Sequence, residues 1–355
     1  MGNIRPSNKD AHDPLLKYGT KRKRNPKNLW KCCVVTAAVI VILLCLLFLI
    51  VFVGLPLAFK YSAELQRNLI FPTCDLWPPD PEFTNFKKYD VEGVRNLYVT
   101  VNEDDNITLG VWHILPYALV NDSIYDNYNY SDALANSEYP VVLHFHGNGG
   151  NRIADLEMYN VLRMFFHIIA FDYRGYADST AVKPSEEGIV QDSIQLYKWL
   201  REQTDAKIYF WGHSLGSALS THTAARLRSE DIVPMGLFLE APFTTLKEEI
   251  QAIPLTKVFS WLPWYESTML DPLDEHGFYF RTSDNILMVD CPIMIVHAED
   301  DSNIPSYLGE KLYNIAREKR DPVTQGNVTF HLLPEHLQCN HIQIYNAPDL
   351  PNYIR

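Results

Sequence analysis

Two glycines four positions apart, Gly212 and Gly216, bracket Ser214 at a point where a strand pattern gives way to a helical one. Few folds accommodate that arrangement. Ile208-Tyr209-Phe210-Trp211 reads as a buried strand, and Leu215-Gly216-Ser217-Ala218-Leu219 opens a helix. A chain that passes from strand to helix within one residue forces the flanking backbone into near contact. The positions two before and two after the bend must therefore lack a bulky Cβ. Both are glycine, and the small Ser217 and Ala218 let the helix lie close to the strand. Such a bend lifts the Ser214 hydroxyl to the end of a sheet, at a helix N-terminus that favours developing negative charge.

The remaining pattern supplies that sheet. After a proline-rich connector, Pro72 to Pro81, the runs Tyr98–Val101 and Thr108–Ile114 read as an antiparallel hairpin. A Tyr/Asn-rich loop, Asn121–Glu138, follows. Then come Val141–His146, His167–Phe171, Lys207–Trp211, Gly236–Leu239, Pro292–His297 and Val328–Leu333, alternating with helical stretches such as Ile189–Arg201 and Leu215–Leu227. Short continuous apolar runs between helices predict an α/β fold with a mostly parallel, doubly wound sheet. The segment 243–285 breaks the rhythm with Phe259, Trp261, Leu262, Trp264 and Tyr265, and reads as a lid-like insertion.

Ahead of this body, no charged residue occurs from Cys32 to Phe59, and Val34–Leu55 is almost wholly aliphatic or aromatic. About 20 apolar residues span a bilayer as a helix, and this run is too long for a cleaved signal peptide. Residues 1–31 carry nine Lys/Arg against two acids, which leaves 22 basic and 41 acidic side chains in the rest of the 355-residue chain. The positive-inside rule then predicts a cytoplasmic N-terminus and a body on the far side. The sequons at Asn106, Asn121, Asn129 and Asn327 all follow the span, as glycosylation of that body requires. So acidic a body argues against nucleic acid as a partner. The expected organisation is a basic tail 1–31, a signal-anchor helix 32–59 and a catalytic domain 60–355. Cys74, Cys291 and Cys339 leave room for one disulfide without specifying it.

A serine nucleophile needs a histidine base and an orienting carboxylate, following it in the order Ser, acid, His. Loops at the carboxyl ends of parallel strands converge on such a site. The strand ending at His297 runs into Glu299-Asp300-Asp301, of which Asp301 is the favoured acid and Asp300 the runner-up. His336 and His341 follow the last strand. His341 is preferred because Ile342-Gln343-Ile344-Tyr345 reads as a closing helix that would give it a platform. The backbone amides of Asn148, in His146-Gly147-Asn148-Gly149-Gly150-Asn151, and of Leu215 are the candidate oxyanion donors. This chemistry calls for no metal and no organic cofactor.

These motifs, together with Phe171-Asp172-Tyr173-Arg174-Gly175-Tyr176, Leu239-Glu240-Ala241-Pro242-Phe243-Thr244 and Ile107–His113, resemble the lysophosphatidylserine lipase family (α/β-hydrolase-domain protein twelve) over roughly residues 60 to 355. The resemblance implies an α/β-hydrolase fold behind one transmembrane helix, and a triad at Ser214, Asp301 and His341. It also implies a single-pass type II enzyme of the endoplasmic reticulum with a lumenal active site. The implied substrates are single-chain lipids, namely lysophospholipids and monoacylglycerols. Ala177 stands where the family usually has a glycine, and Cys339-Asn340 replaces its glycine, aromatic and basic residues. Two other readings are a protein-depalmitoylating thioesterase and an inactive hydrolase fold serving as a membrane-tethered interaction protein.

Overall fold

A computed structural model describes residues 26–73, 77–124 and 127–354. Most of the basic tail, through Arg24, and Cys74 lie outside the described residues. The chain forms two compact units, residues 1–54 and 55–355. In the first, Pro26–Leu49 is α-helical and passes into a π-type turn at Ile50–Gly54, with its aliphatic side chains exposed. Among the described residues, Trp30–Tyr61 is the one helical stretch long and apolar enough to cross a membrane.

The larger unit is built on one eight-stranded sheet: β1 (Val94–Asn102), β2 (Ile107–Ile114), β3 (Val141–Phe145), β4 (His167–Phe171), β5 (Ile208–His213), β6 (Leu237–Glu240), β7 (Ile293–Ala298) and β8 (Val328–Leu333). The order is β1-β2-β4-β3-β5-β6-β7-β8. β1 pairs antiparallel with β2, β2 antiparallel with β4, and every other pair is parallel. All eight apolar runs expected from the sequence are strands; the first is longer than expected because its Val94–Leu97 half pairs with Val111–Ile114.

The central strands are continuous apolar runs because both faces are covered. Leu143, Phe145, Phe171, Phe210 and Leu239 pack on one side with residues of the helices Glu186–Gln203, Leu215–Arg228 and Ser306–Lys319. Val142, Ile168, Trp211 and Phe238 pack on the other with the helix Leu156–Leu162 and the C-terminal turns around Ile344 and Leu350. Helix starts follow capping rules: the Ser185 side chain accepts from the Gly188 amide, ahead of Glu186 and Glu187 in the first turn.

The segment between β6 and β7 is a series of short helices, Leu246–Ala252, Pro254–Lys257 and Asp271–Glu275, with a π-type turn at Glu266–Leu270. Leu262, Tyr265, Leu270 and Leu273 are buried, whereas Leu255, Val258 and Trp261 are exposed. Gln66, on the helix Ala63–Ile70, meets His276 of this segment at 2.8 Å. One expectation is corrected. Ile342–Tyr345 is not a closing helix; the chain there runs through turns into a single 3-10 turn, Ile344–Asn346. Cys291 and Cys339 are both free and buried.

Candidate active site

β5 ends at His213, and the helix begins at Leu215, so Ser214 alone makes the bend. Its backbone is held at φ 54°, ψ −120°, a conformation that costs a non-glycine residue of the order of 1–3 kcal/mol. The surrounding packing enforces it. A Cβ on Gly216 would collide with the Phe145 carbonyl, and one on Gly212 with the Gly216 carbonyl and the Ser220 hydroxyl.

Ser214 Oγ lies 3.0 Å from His341 Nε2, and His341 Nδ1 lies 2.7 Å from Asp301 Oδ2. All three residues are buried. Asp301 is embraced on its remaining sides: His297 Nε2 approaches Oδ2 at 3.2 Å, and the amides of Asn303 and Ile304 donate to Oδ1 at 2.9 and 2.8 Å. Burial alone would raise its pKa, but these partners and the His341 ring hold it far below the usual carboxylate range. For His341 the balance is opposite. Burial, reinforced by the neighbouring His213, outweighs the pull of Asp301 and lowers its pKa. The imidazole is therefore neutral near pH 7, with Nδ1–H directed to Asp301 and the Nε2 lone pair facing the serine.

The other expected residues fall in distinct places. Asp300 accepts from the Asn340 amide at 2.9 Å and so braces the histidine loop rather than the ring. His336 is exposed on the 3-10 turn Glu335–Leu337. The loop Gly147–Asn151 lies against the bend, since a Cβ on Gly147 would sit 3.5 Å from Ser214 Cβ. The Gly147 carbonyl accepts from the Gly150 amide at 3.1 Å and from His146 Nδ1 at 2.7 Å. In a trans peptide the Asn148 N–H points the other way from that carbonyl, clear of these partners. Tyr173 and Tyr176 donate to the carbonyls of His146 and Asn148, both at 2.8 Å, and fix the loop further. The Leu215 amide opens a helix and so has no partner within it.

Several contributors escape sequence inspection. His213 Nε2 donates to the His341 carbonyl at 3.0 Å. Burial would lower its pKa, but the charges of Glu240 and Asp155 and this bond raise it instead. Glu240, which accepts from Trp211 Nε1 at 2.8 Å, is pushed up to about 7 by burial. Arg152 is fully buried; it pairs with Asp172 and Asp178 and stacks over Phe83, anchoring the loop Gly147–Asn151 to the end of β4. A long basic side chain directly after the Gly-rich loop, with Asp172 ending a buried strand, was the available signal.

The fold matches known proteins. The α/β hydrolase fold family covers residues 140–254. Among solved structures, an α/β hydrolase of Vibrio vulnificus superposes with a TM-score of 0.57 at 17% identity, covering 80% of this chain and 88% of that one. An esterase of Pyrococcus furiosus does so at 0.55 and 16%, covering 78% and 94%. Curated relatives are nearer in sequence. The lysophosphatidylserine lipase ABHD12 of Xenopus tropicalis is 35% identical over 87% of this chain and 81% of its own length. That of Gallus gallus is 36% identical over 86% and 80%. The human protein ABHD12B is 29% identical over 72% and 73%. The chain belongs to the lysophosphatidylserine lipase ABHD12 family of carboxylic-ester hydrolases.

Proposed function

We propose that this chain is a membrane-anchored serine hydrolase that cleaves the acyl ester of lysophospholipids, lysophosphatidylserine among them, and of monoacylglycerols. The observation that carries the reading is the unbroken hydrogen-bonded line from Ser214 through His341 to Asp301, at 3.0 and 2.7 Å. His341 Nε2 takes the Ser214 proton as Oγ bonds to the ester carbonyl carbon. Asp301 holds the tautomer and stabilises the imidazolium. The Asn148 and Leu215 amides receive the oxyanion. Collapse expels the glycerol oxygen, which takes the proton from His341, and leaves an acyl-Ser214. Water, deprotonated by the same imidazole, then releases the fatty acid.

The stretch Cys32–Phe59, free of charged residues within the N-terminal apolar helix, supports anchoring, and its basic flank supports a type II topology with the body in the lumen of the endoplasmic reticulum. The insertion 243–285, with its exposed Leu255, Val258 and Trp261, acts as the lid through which a single acyl chain enters. The decisive experiment incubates a panel of lysophospholipids and monoacylglycerols with wild type and with Ser214→Ala. Fatty-acid release and fluorophosphonate labelling are expected only from wild type. Labelling retained by the variant would remove Ser214 from the mechanism. A thioester substrate preferred over every lipid ester would favour a depalmitoylating role.

A further inference from the structure

His341 stands on no regular element. It lies between Gln338 and Asn340, both at positive φ (53° and 47°), and a run of turns. An imidazole must nevertheless be held within about 0.5 Å of its working position, so something other than a helix or strand fixes this backbone.

The hydrogen bonds identify what does. Asn340 Oδ1 accepts from the His341 amide at 2.7 Å, and also from Ser302 Oγ at 3.0 Å and the Ser302 amide at 3.3 Å. Ser302 directly follows the acid, Asp301. One side-chain oxygen thus joins the loop that carries the carboxylate to the main chain of the residue that carries the imidazole. The Asn340 amide itself donates to Asp300, and His213 secures the His341 carbonyl from the opposite side. Asparagine suits the position on two counts: it tolerates the left-handed backbone better than most residues, and it offers a short acceptor. Glycine would meet only the first requirement.

We propose that Asn340 is a positioning residue for His341, its Oδ1 fastening the acid loop Asp300–Ser302 to the base. The inference rests on the reading of His341 as the general base. Asn340 lies at the exposed rim, so its bonds contribute orientation far more than stability, and the two effects separate.

The test uses the full-length chain in detergent, with p-nitrophenyl butyrate as a soluble ester and a fluorophosphonate probe. Asn340→Gly keeps the backbone conformation and removes the oxygen. It is expected to lower kcat about 10- to 100-fold, the scale of a small misplacement of a reacting group, with KM and the melting midpoint essentially unchanged. Asn340→Asp restores an acceptor facing the same three donors and is expected to recover kcat to within about threefold of wild type. An Asn340→Gly enzyme with wild-type kcat, or an Asn340→Asp enzyme as impaired as the glycine variant, overturns the proposal while leaving the catalytic reading intact. Wild type that neither turns over nor labels would sink that reading, and this inference with it. Should Asn340→Gly fail to fold, Ser302→Ala, which withdraws one donor from the same oxygen, decides: a several-fold loss of kcat supports the staple and an unchanged kcat overturns it.

Discussion

His341 Nε2 meets Ser214 Oγ at 3.0 Å across 127 positions of sequence, and the opposite ring nitrogen meets Asp301 at 2.7 Å. Because burial lowers the His341 pKa beneath the ordinary 6.5, and the neutral ring is the form that accepts a proton, kcat/KM is expected to rise with pH through a midpoint below 6.5 and then level off. Asp301→Asn removes both the charge that raises this pKa and the acceptor that selects the tautomer. Its kcat should fall by the order of 10⁴, with any residual acid limb moved lower still. A pH–rate profile of both enzymes checks this; a wild-type midpoint clearly above 6.5 would contradict it.

The bend at Ser214 depends on two absent side chains. Gly216→Ala would drive a methyl into the Phe145 carbonyl, a backbone atom that cannot swing aside. A loss of about 3 kcal/mol or more and the disappearance of activity are expected. Gly149, by contrast, has nothing within 4 Å of where its Cβ would lie, so Gly149→Ala should leave stability within about 0.5 kcal/mol of wild type. Thermal melts of the pair make the comparison.

Ala177 occupies a left-handed backbone position, φ 48°. Relieving a strain of about 1–2 kcal/mol is partly offset by the greater freedom of glycine in the unfolded chain. Ala177→Gly is therefore expected to stabilise by about 0.5–1 kcal/mol, seen as a raised melting midpoint. A lowered midpoint would mean that the methyl contributes packing that outweighs the strain.

What was legible in the sequence tracks how local the physics is. The bend could be read because glycine at 212 and 216 is a direct imprint of steric exclusion, and the strands because burial on both faces demands unbroken apolar runs. The choice between Asp300 and Asp301 depended on loop conformation: one faces two histidines and two amides, the other the amide of Asn340. The apolar pattern Ile342–Tyr345 reads as a helix supporting His341, but the chain there forms turns and one 3-10 turn. The support of His341 comes from His213 and Asn340, through bonds to main-chain atoms that leave no periodic trace. Arg152 is equally silent in the local pattern, its partners Asp172 and Asp178 lying 20 and 26 positions away.

A second histidine cluster lies beside β1 and β2, away from the bend. Arg95 Nε donates to His113 Nδ1 at 3.1 Å, which leaves His113 Nε2–H to donate to His167 Nδ1 at 2.9 Å, and His167 Nε2–H to donate to Ser137 Oγ at 2.8 Å. Each ring is neutral with one fixed tautomer, and burial lowers both pKa values, that of His167 to about 4. Folded-state pKa values below the unfolded 6.5 mean that the native state binds fewer protons. Stability is then full above about pH 6.5 and is lost as pH falls towards 4, by up to about 1.4 kcal/mol per pH unit for each ring. Melting midpoints measured from pH 7 to 4 should decline, and His167→Gln should flatten the slope. An unchanged slope would place the acid sensitivity elsewhere.

Topology provides the last test. Asn106, Asn121, Asn129 and Asn327 are all exposed, each beyond the apolar helix in sequence. Asn129 also caps the helix Tyr130–Ala135, with its Oδ1 accepting from the Ser131 and Asp132 amides. A glycan attaches through the side-chain nitrogen, so that cap and a sugar can coexist. If the nine basic residues before the span hold the N-terminus in the cytoplasm, all four asparagines face the lumen. The full-length protein expressed in animal cells should then run above its 40.9 kDa polypeptide mass and collapse to it on treatment with a peptide N-glycosidase. Asn327→Gln, altering a site at the start of β8, should remove one step of that shift. A protein whose mobility is untouched by the glycosidase would contradict occupancy of these sequons and remove the support they give to a lumenal body.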